Sequence, residues 1–290
     1  MKSNNKNKTE NKSLDSNGII QIPWHPAFVE ALQLELEAYK DVLEFHSELQ
    51  LTTEPLRIDC VVIKKVKEVE IKKNIGKIFR TWNIIEYKSP DDYVSVDDYY
   101  KVYGYACIYA SLNKIPITDI TITFVESHHP RELIRHLNKI RGFTIVETYS
   151  GVYNVYGDIM PMQIIDNRQL SAKDNIWLKN LSNRLNHTDV EQISIKIAQQ
   201  GKSAQIKAYA YAIANAYAKK IKENLMASGV TFEYERAFRK EVTEFYISLG
   251  LVPYWEENAK AEFASVIAEK EAENALLRAQ IAELQKRLLP

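Results

Sequence analysis

The sequence predicts an α/β protein in which a mixed sheet carries packed helices, followed by a helical extension and a C-terminal coiled coil. Three observations carry this prediction. Short β-branched runs recur between positions 48 and 165, the strongest being ITDITITFV at 117–125. Segments of helical period interrupt them at 26–46 and 97–110. Beyond Ser171 the helical period takes over, and it ends in a heptad from Phe263 to Leu288.

The chain has 290 residues, enough for one large core or two ordinary ones. Hydrophobic residues make up 46% and charged residues 26%, which suits a soluble globular protein. Lys plus Arg balances Asp plus Glu at 38 each, so any pull toward nucleic acid must be local. Cys60 and Cys107 form no CxxC pair. That argues against a disulfide framework or a cysteine zinc site, and for a reducing compartment. The opening MKSNNKNKTENKSLDSNG lacks the apolar stretch of a signal peptide. The run Ala208–Ala218 is too short and too tyrosine-rich to span a bilayer. A cytoplasmic protein with no membrane partner is expected.

Residues 1–17 have little to bury and read as a disordered tail. Residues 18–168 read as one domain. Its first helix, at 26–46, has Pro26 in the first turn and Phe28, Leu32, Leu36, Tyr39 and Leu43 on one stripe. Glu35 falls inside that stripe and needs a partner, either a lysine at the stripe's edge or a functional site. Strands are expected at 49–52 and 56–63. The segment 64–80 carries Lys64, Lys65, Lys67, Lys72, Lys73, Lys77 and Arg80 against Glu68 and Glu70. It is either a solvated connection or a basic flank for a phosphate backbone.

Ser95 and Asp98 have the spacing of a capping box, and the helix after them puts Lys101, Tyr105 and Ile108 on an inward face. The run 117–125 should be a central strand. A short helix at 130–139, a hairpin of 143–148 with 152–156 about Ser150-Gly151, and a last strand at 159–165 follow. His128 and His129 are adjacent at a strand end, so they point apart and suit packing or solvent better than a metal.

Residues 169–255 read as a helical extension, with Ser171 and Asp174 capping its first helix. Residues 256–290 read as a coiled-coil helix. Its a positions are Ile267, Asn274, Ile281 and Leu288; its d positions are Phe263, Lys270, Leu277 and Leu284. A lone Asn at a suits a parallel homodimer in fixed register, the alternative being a helix folded back on its own domain.

The chemistry-bearing stretch is TWNIIEYKSPDD at 81–92. Side chains alternate along a strand, so Glu86 and Lys88 share a face and Tyr87 takes the other. Pro90 ends the strand. Charge just past a buried strand is costly unless a metal or a phosphate meets it. Asp59, in LRIDCVVIKK, opens another apolar strand. If the two strands pair, Asp59, Glu86 and Lys88 converge.

The order helix, three strands, helix, strand, together with D…ExK, resembles the PD-(D/E)XK nuclease superfamily, whose fold is restriction-endonuclease-like with an αβββαβ core. The resemblance covers about residues 25–126. It extends to uncharacterised nuclease-like proteins of Firmicutes in which LRID, EYKSPDDY and YKVYGYA recur. It implies that Asp59, Glu86 and the backbone carbonyl of Tyr87 bind Mg²⁺, with Mn²⁺ as a substitute. Lys88 would orient or help deprotonate the attacking water and steady the transition-state charge. Glu35 resembles a first-helix glutamate that completes the metal site. Lys101 and Tyr105 resemble a Gln-x-x-x-Tyr pair, with Lys in place of Gln, and the usual Pro before the aspartate is Ile58 here. The implied activity is metal-dependent hydrolysis of phosphodiester bonds, with DNA as the expected partner. Two other functions fit the sequence: a catalytically inactive nuclease-like dimer that binds nucleic acid or protein, and a coiled-coil interaction protein.

Overall fold

Seven short apolar segments join in one mixed sheet, and its two faces bury separate clusters of side chains. The structure is a computed structural model that describes residues 22–50, 57–200, 206–227, 242–243, 246–247 and 251; side chains at 47–50, 57–59, 200, 222 and 225–227 are outside that description. The expected tail at 1–17 and the expected coiled coil at 256–290 lie outside the described residues. The strands are β1 (Leu43–Gln50), β2 (Arg57–Lys65), β3 (Trp82–Tyr87), β4 (Ile120–Glu126), β5 (Thr144–Tyr149), β6 (Val152–Tyr156) and β7 (Met162–Asp166). They lie in the order β1-β2-β3-β4-β7-β6-β5. The β3–β4 and β4–β7 pairs are parallel and the other pairs antiparallel. β4 is central, as its β-branched run predicts.

The helices are α1 (Trp24–Glu35), α2 (Val96–Asn113), α3 (Arg131–Lys139), α4 (Ala172–Lys179), α5 (His187–Gln200) and α6 (Lys207–Ala227). α2 and α3 bury Tyr99, Val102, Leu133 and Leu137 against Val62, Ile84, Ile122, Phe124 and Ile164 on one face. α1, α4, α5 and α6 bury Phe28, Leu32, Trp177, Ile193 and Tyr209 against Val61, Ile63, Ile85, Val125 and Ile165 on the other. The helical extension therefore shares a core with the sheet instead of building its own. Among the described residues no helix is long and apolar enough to cross a membrane.

Three expectations are corrected. The first helix ends at Glu35, not at 46: a single 3-10 turn at Glu37–Tyr39 follows, and Leu43–Gln50 becomes β1. Leu43 continues the helical stripe of Leu36 and Tyr39 as well as it fits a strand, and the paired edge of β2 decides in favour of the strand. The inward stripe of α2 is Tyr99, Val102, Ala106, Tyr109 and Ala110, whereas Lys101 and Ile108 are exposed. Ser171 makes no side-chain cap on α4. The hairpin and the capping box of Ser95 with Asp98 match the sequence reading.

The connection 66–80 is anchored rather than merely solvated. Ile71, Ile75 and Phe79 are buried in the α1 face of the sheet. The Gln163 side chain donates to the Ile75 carbonyl at 2.6 Å, and Asn83 donates to the Ile63 and Arg80 carbonyls at 3.0 and 2.9 Å. These buried polar groups are stable only because they are paired.

Candidate functional site

Glu86 sits at the end of β3 and is buried at 4% exposure. Strand alternation turns it toward the α2 face, and it turns Tyr87 the other way to stack on Phe28, centroids 4.2 Å apart. The Glu86 carboxylate accepts a hydrogen bond from the Cys60 thiol of β2 at 2.8 Å. Lys88 Nζ lies 3.4 Å from Glu86 Oε1, and Lys101 Nζ lies 3.7 Å from the same oxygen. Lys88 also donates to Asp98 Oδ1 at 2.8 Å and lies 3.9 Å from Asp92. Lys101 reaches the Asp98 oxygen at 3.6 Å.

The result is an interlocked set of two ammonium groups and three carboxylates. Burial works against the charge on Lys88, but the hydrogen bond to Asp98 and the nearby Glu86 and Asp92 outweigh it and raise its pKa. Burial likewise disfavours the Lys101 ammonium, but the nearby Glu86 and Asp98 together outweigh it and raise its pKa. Asp98 also resists its burial: hydrogen bonds from Lys88 and Ser95 bring its carboxyl down to about 2. Both lysines therefore hold their protons, and Lys88 contributes positive charge rather than a base.

These groups open into a cleft of about 500 Å³ between β3 and the start of α1, where Trp24 and His25 also line the wall. The first turn of α1 lines the same cleft without a side-chain cap, and its dipole adds to the positive charge of the two lysines. Negative charge on a ligand would be met by these groups. A cation would find the Glu86 carboxylate and the carbonyl of Tyr87. Among the described residues no three His, Cys, Asp or Glu side chains group to hold a metal. Asp59 belongs to β2, but its side chain lies outside the described residues. Mg²⁺ needs only one or two protein carboxylates when waters and substrate phosphate complete its shell. Glu86 supplies one such carboxylate.

The predicted residues divide. Glu86, Lys88, Lys101 and Tyr87 come together at one cleft. Tyr105 is partly buried against the α2-side core. Glu35 does not join them. It bonds Lys73 at 2.6 Å and accepts backbone N–H bonds from Trp177 at 2.8 Å and Leu178 at 3.2 Å. Asn175 breaks the regularity of α4, which leaves those two donors without helical partners, and Glu35 supplies the missing acceptor. His128 and His129 are absent from the cleft lining, and His129 packs edge-on against Tyr153.

Sequence reasoning missed Cys60, because a contact 26 positions away needs the strand register to be seen. It also missed Asp98 as the ion partner of Lys88, although its capping role was visible. Glu126 was missed as well. It ends β4 opposite Asp166 of β7, is fully buried, and accepts from the Val94 N–H at 3.1 Å while its Oε1 has no hydrogen-bond partner. Burial raises its pKa to about 8, with the Asp166 charge adding to the effect.

No family model, curated protein or solved structure matches the chain.

Proposed function

We propose that the chain is a metal-dependent phosphodiester hydrolase acting on nucleic acid, DNA in the first instance, with its reacting centre at the Glu86 cleft. The observation that carries this reading is a buried carboxylate with two protonated lysines within 4 Å at the end of a parallel-paired strand, opening on a cleft of about 500 Å³. A carboxylate alone suits a cation, and the lysines alone suit an anion. The two together suit a cation that bridges to a phosphate.

In this reading Asp59, Glu86 and the Tyr87 carbonyl would hold Mg²⁺, with Mn²⁺ as a substitute. The bound ion would polarise the phosphate and lower the pKa of a coordinated water. Water oxygen adds to phosphorus as the bond to the leaving sugar oxygen breaks; the water loses one proton to solvent and the leaving oxygen gains one. Lys88 keeps its proton and faces the charge that builds on the phosphoryl oxygens, while Asp98 fixes its position. Lys101 faces Glu86 and would add a second positive charge for a phosphate. The resemblance to PD-(D/E)XK nucleases supports the same assignment.

A second reading, a catalytically inactive nuclease-like scaffold that dimerises through the C-terminal heptad, is favoured by one observation. Glu86 is already engaged by Cys60, Lys88 and Lys101. Supercoiled plasmid with Mg²⁺ or Mn²⁺ separates the two. The hydrolase reading expects nicking by the purified chain and a loss of at least about a hundredfold in Glu86→Gln and Lys88→Ala. Equal background from wild type and variants would leave the scaffold.

A further inference from the structure

A second cleft, of about 600 Å³, gathers four lysines from two parts of the chain. Lys72, Lys73 and Lys77 come from the β2–β3 connection and Lys173 from the first turn of α4. Lys73 is committed to Glu35 and to the Asp174 carbonyl. Lys77 donates to the Tyr149 hydroxyl and lies 4.9 Å from the ring centre. With Glu35 balanced by Lys73, three ammonium groups remain against the one carboxylate of Asp174 among the lining residues. Lys72 and Lys173 are exposed.

We propose that this cleft binds the phosphate backbone of a nucleic-acid strand. Its wall is fixed, because Ile71 and Ile75 beneath the lysines are buried and Gln163 bonds the Ile75 carbonyl. Fixed walls lower the ordering cost of binding. The cationic lining is lysine without arginine. An ammonium is a compact point charge that meets phosphate oxygens without a fixed fork geometry, and a nucleic-acid backbone presents such oxygens at regular intervals along one strand. α1 joins the two clefts: Trp24 at its start lines the Glu86 cleft, and Glu35 at its end lines this one. At about 1.5 Å per residue the helix separates them by about 17 Å, the rise of roughly five nucleotides of duplex. One strand can therefore reach both. Binding at the lysine cleft does not require hydrolysis at Glu86.

The test is fluorescence anisotropy of the full chain with a labelled single-stranded DNA of about twelve nucleotides, in EDTA across a salt series. Lys72→Gln with Lys173→Gln should weaken binding about tenfold and flatten the log K against log salt slope by about 1.4, with Tm unchanged. Lys114→Gln with Lys139→Gln makes the same charge change elsewhere and should leave affinity near wild type. Equal weakening by both pairs, or none by the first, would overturn the site. So would polyglutamate that binds more tightly than DNA and is lost in the same variant. Loss of DNA affinity in the first pair alone, from a chain that nicks no plasmid, would sustain the cleft and sink the hydrolase.

Discussion

Glu35 and Glu86 are both buried glutamates beside a lysine, yet their surroundings assign them different work. Glu35 spends its oxygens on Lys73 and on two backbone donors of α4. Glu35→Ala should cost about 3 kcal/mol, because it strands those donors and a partly buried ammonium. Urea denaturation would show this as a lower midpoint, and activity per folded molecule should be retained. Glu86 instead faces a cleft. Glu126 adds a pH signature of its own. Its folded carboxyl titrates near about 8 against the ordinary 4.5. A raised carboxyl favours the protonated fold, so its contribution is complete below 4.5 and is lost as pH rises toward 8. Tm should therefore fall from about pH 5 to 8, and Glu126→Gln should flatten that fall. An unchanged slope in the variant would assign the loss to other groups. None of the three roles was readable from residue type, since each depends on what the fold brings alongside. The lysine partner of Glu35 was one of the two options that the apolar stripe left open.

At the scale of elements, what the sequence disclosed was local. The capping box at Ser95 and the turn at Ser150-Gly151 were legible because all their partners lie within a few positions. Gly151 can be tested directly. Its φ is +75°, and an added Cβ would sit 2.6 Å from the Asp166 carbonyl oxygen. Gly151→Ala should cost about 2 kcal/mol or more, read as a lower thermal midpoint. A variant as stable as wild type would mean that the turn relaxes. The end of α1 was not legible. Leu36, Tyr39 and Leu43 keep a helical period, and only pairing with β2 turns 43–50 into a strand. α4 is capped from a distance for the same kind of reason: its acceptor is Glu35, more than a hundred positions upstream.

At the scale of the whole molecule, α1 ties the sheet to the helical extension. Glu30 accepts from the first N–H groups of α6 at 3.2 and 2.7 Å, as Glu35 does for α4. Phe28 and Leu32 of α1, Trp177 of α4 and Tyr209 of α6 belong to the cluster that covers one face of the sheet. A chain cut after residue 168 would expose that face, and it should fail to give a cooperative thermal transition; a sharp transition would show that the sheet domain is self-sufficient. The α/β class and the helix, three-strand, helix, strand order were legible, because periodicity is a chain-wide signal. The seven-stranded order and the separation of Glu35 from Glu86 were not, because both depend on which elements pack together.

In the proposed hydrolase, Glu86 shares a cation with Asp59. Manganese titration followed by electron paramagnetic resonance tests it most directly, since bound Mn²⁺ loses its free-ion signal whether or not anything is cleaved. Bound Mn²⁺ is expected in wild type and in Glu35→Gln, with binding abolished in Asp59→Asn and in Glu86→Gln. Binding that persists unchanged in those two variants, or that disappears only with Glu35→Gln, would contradict it.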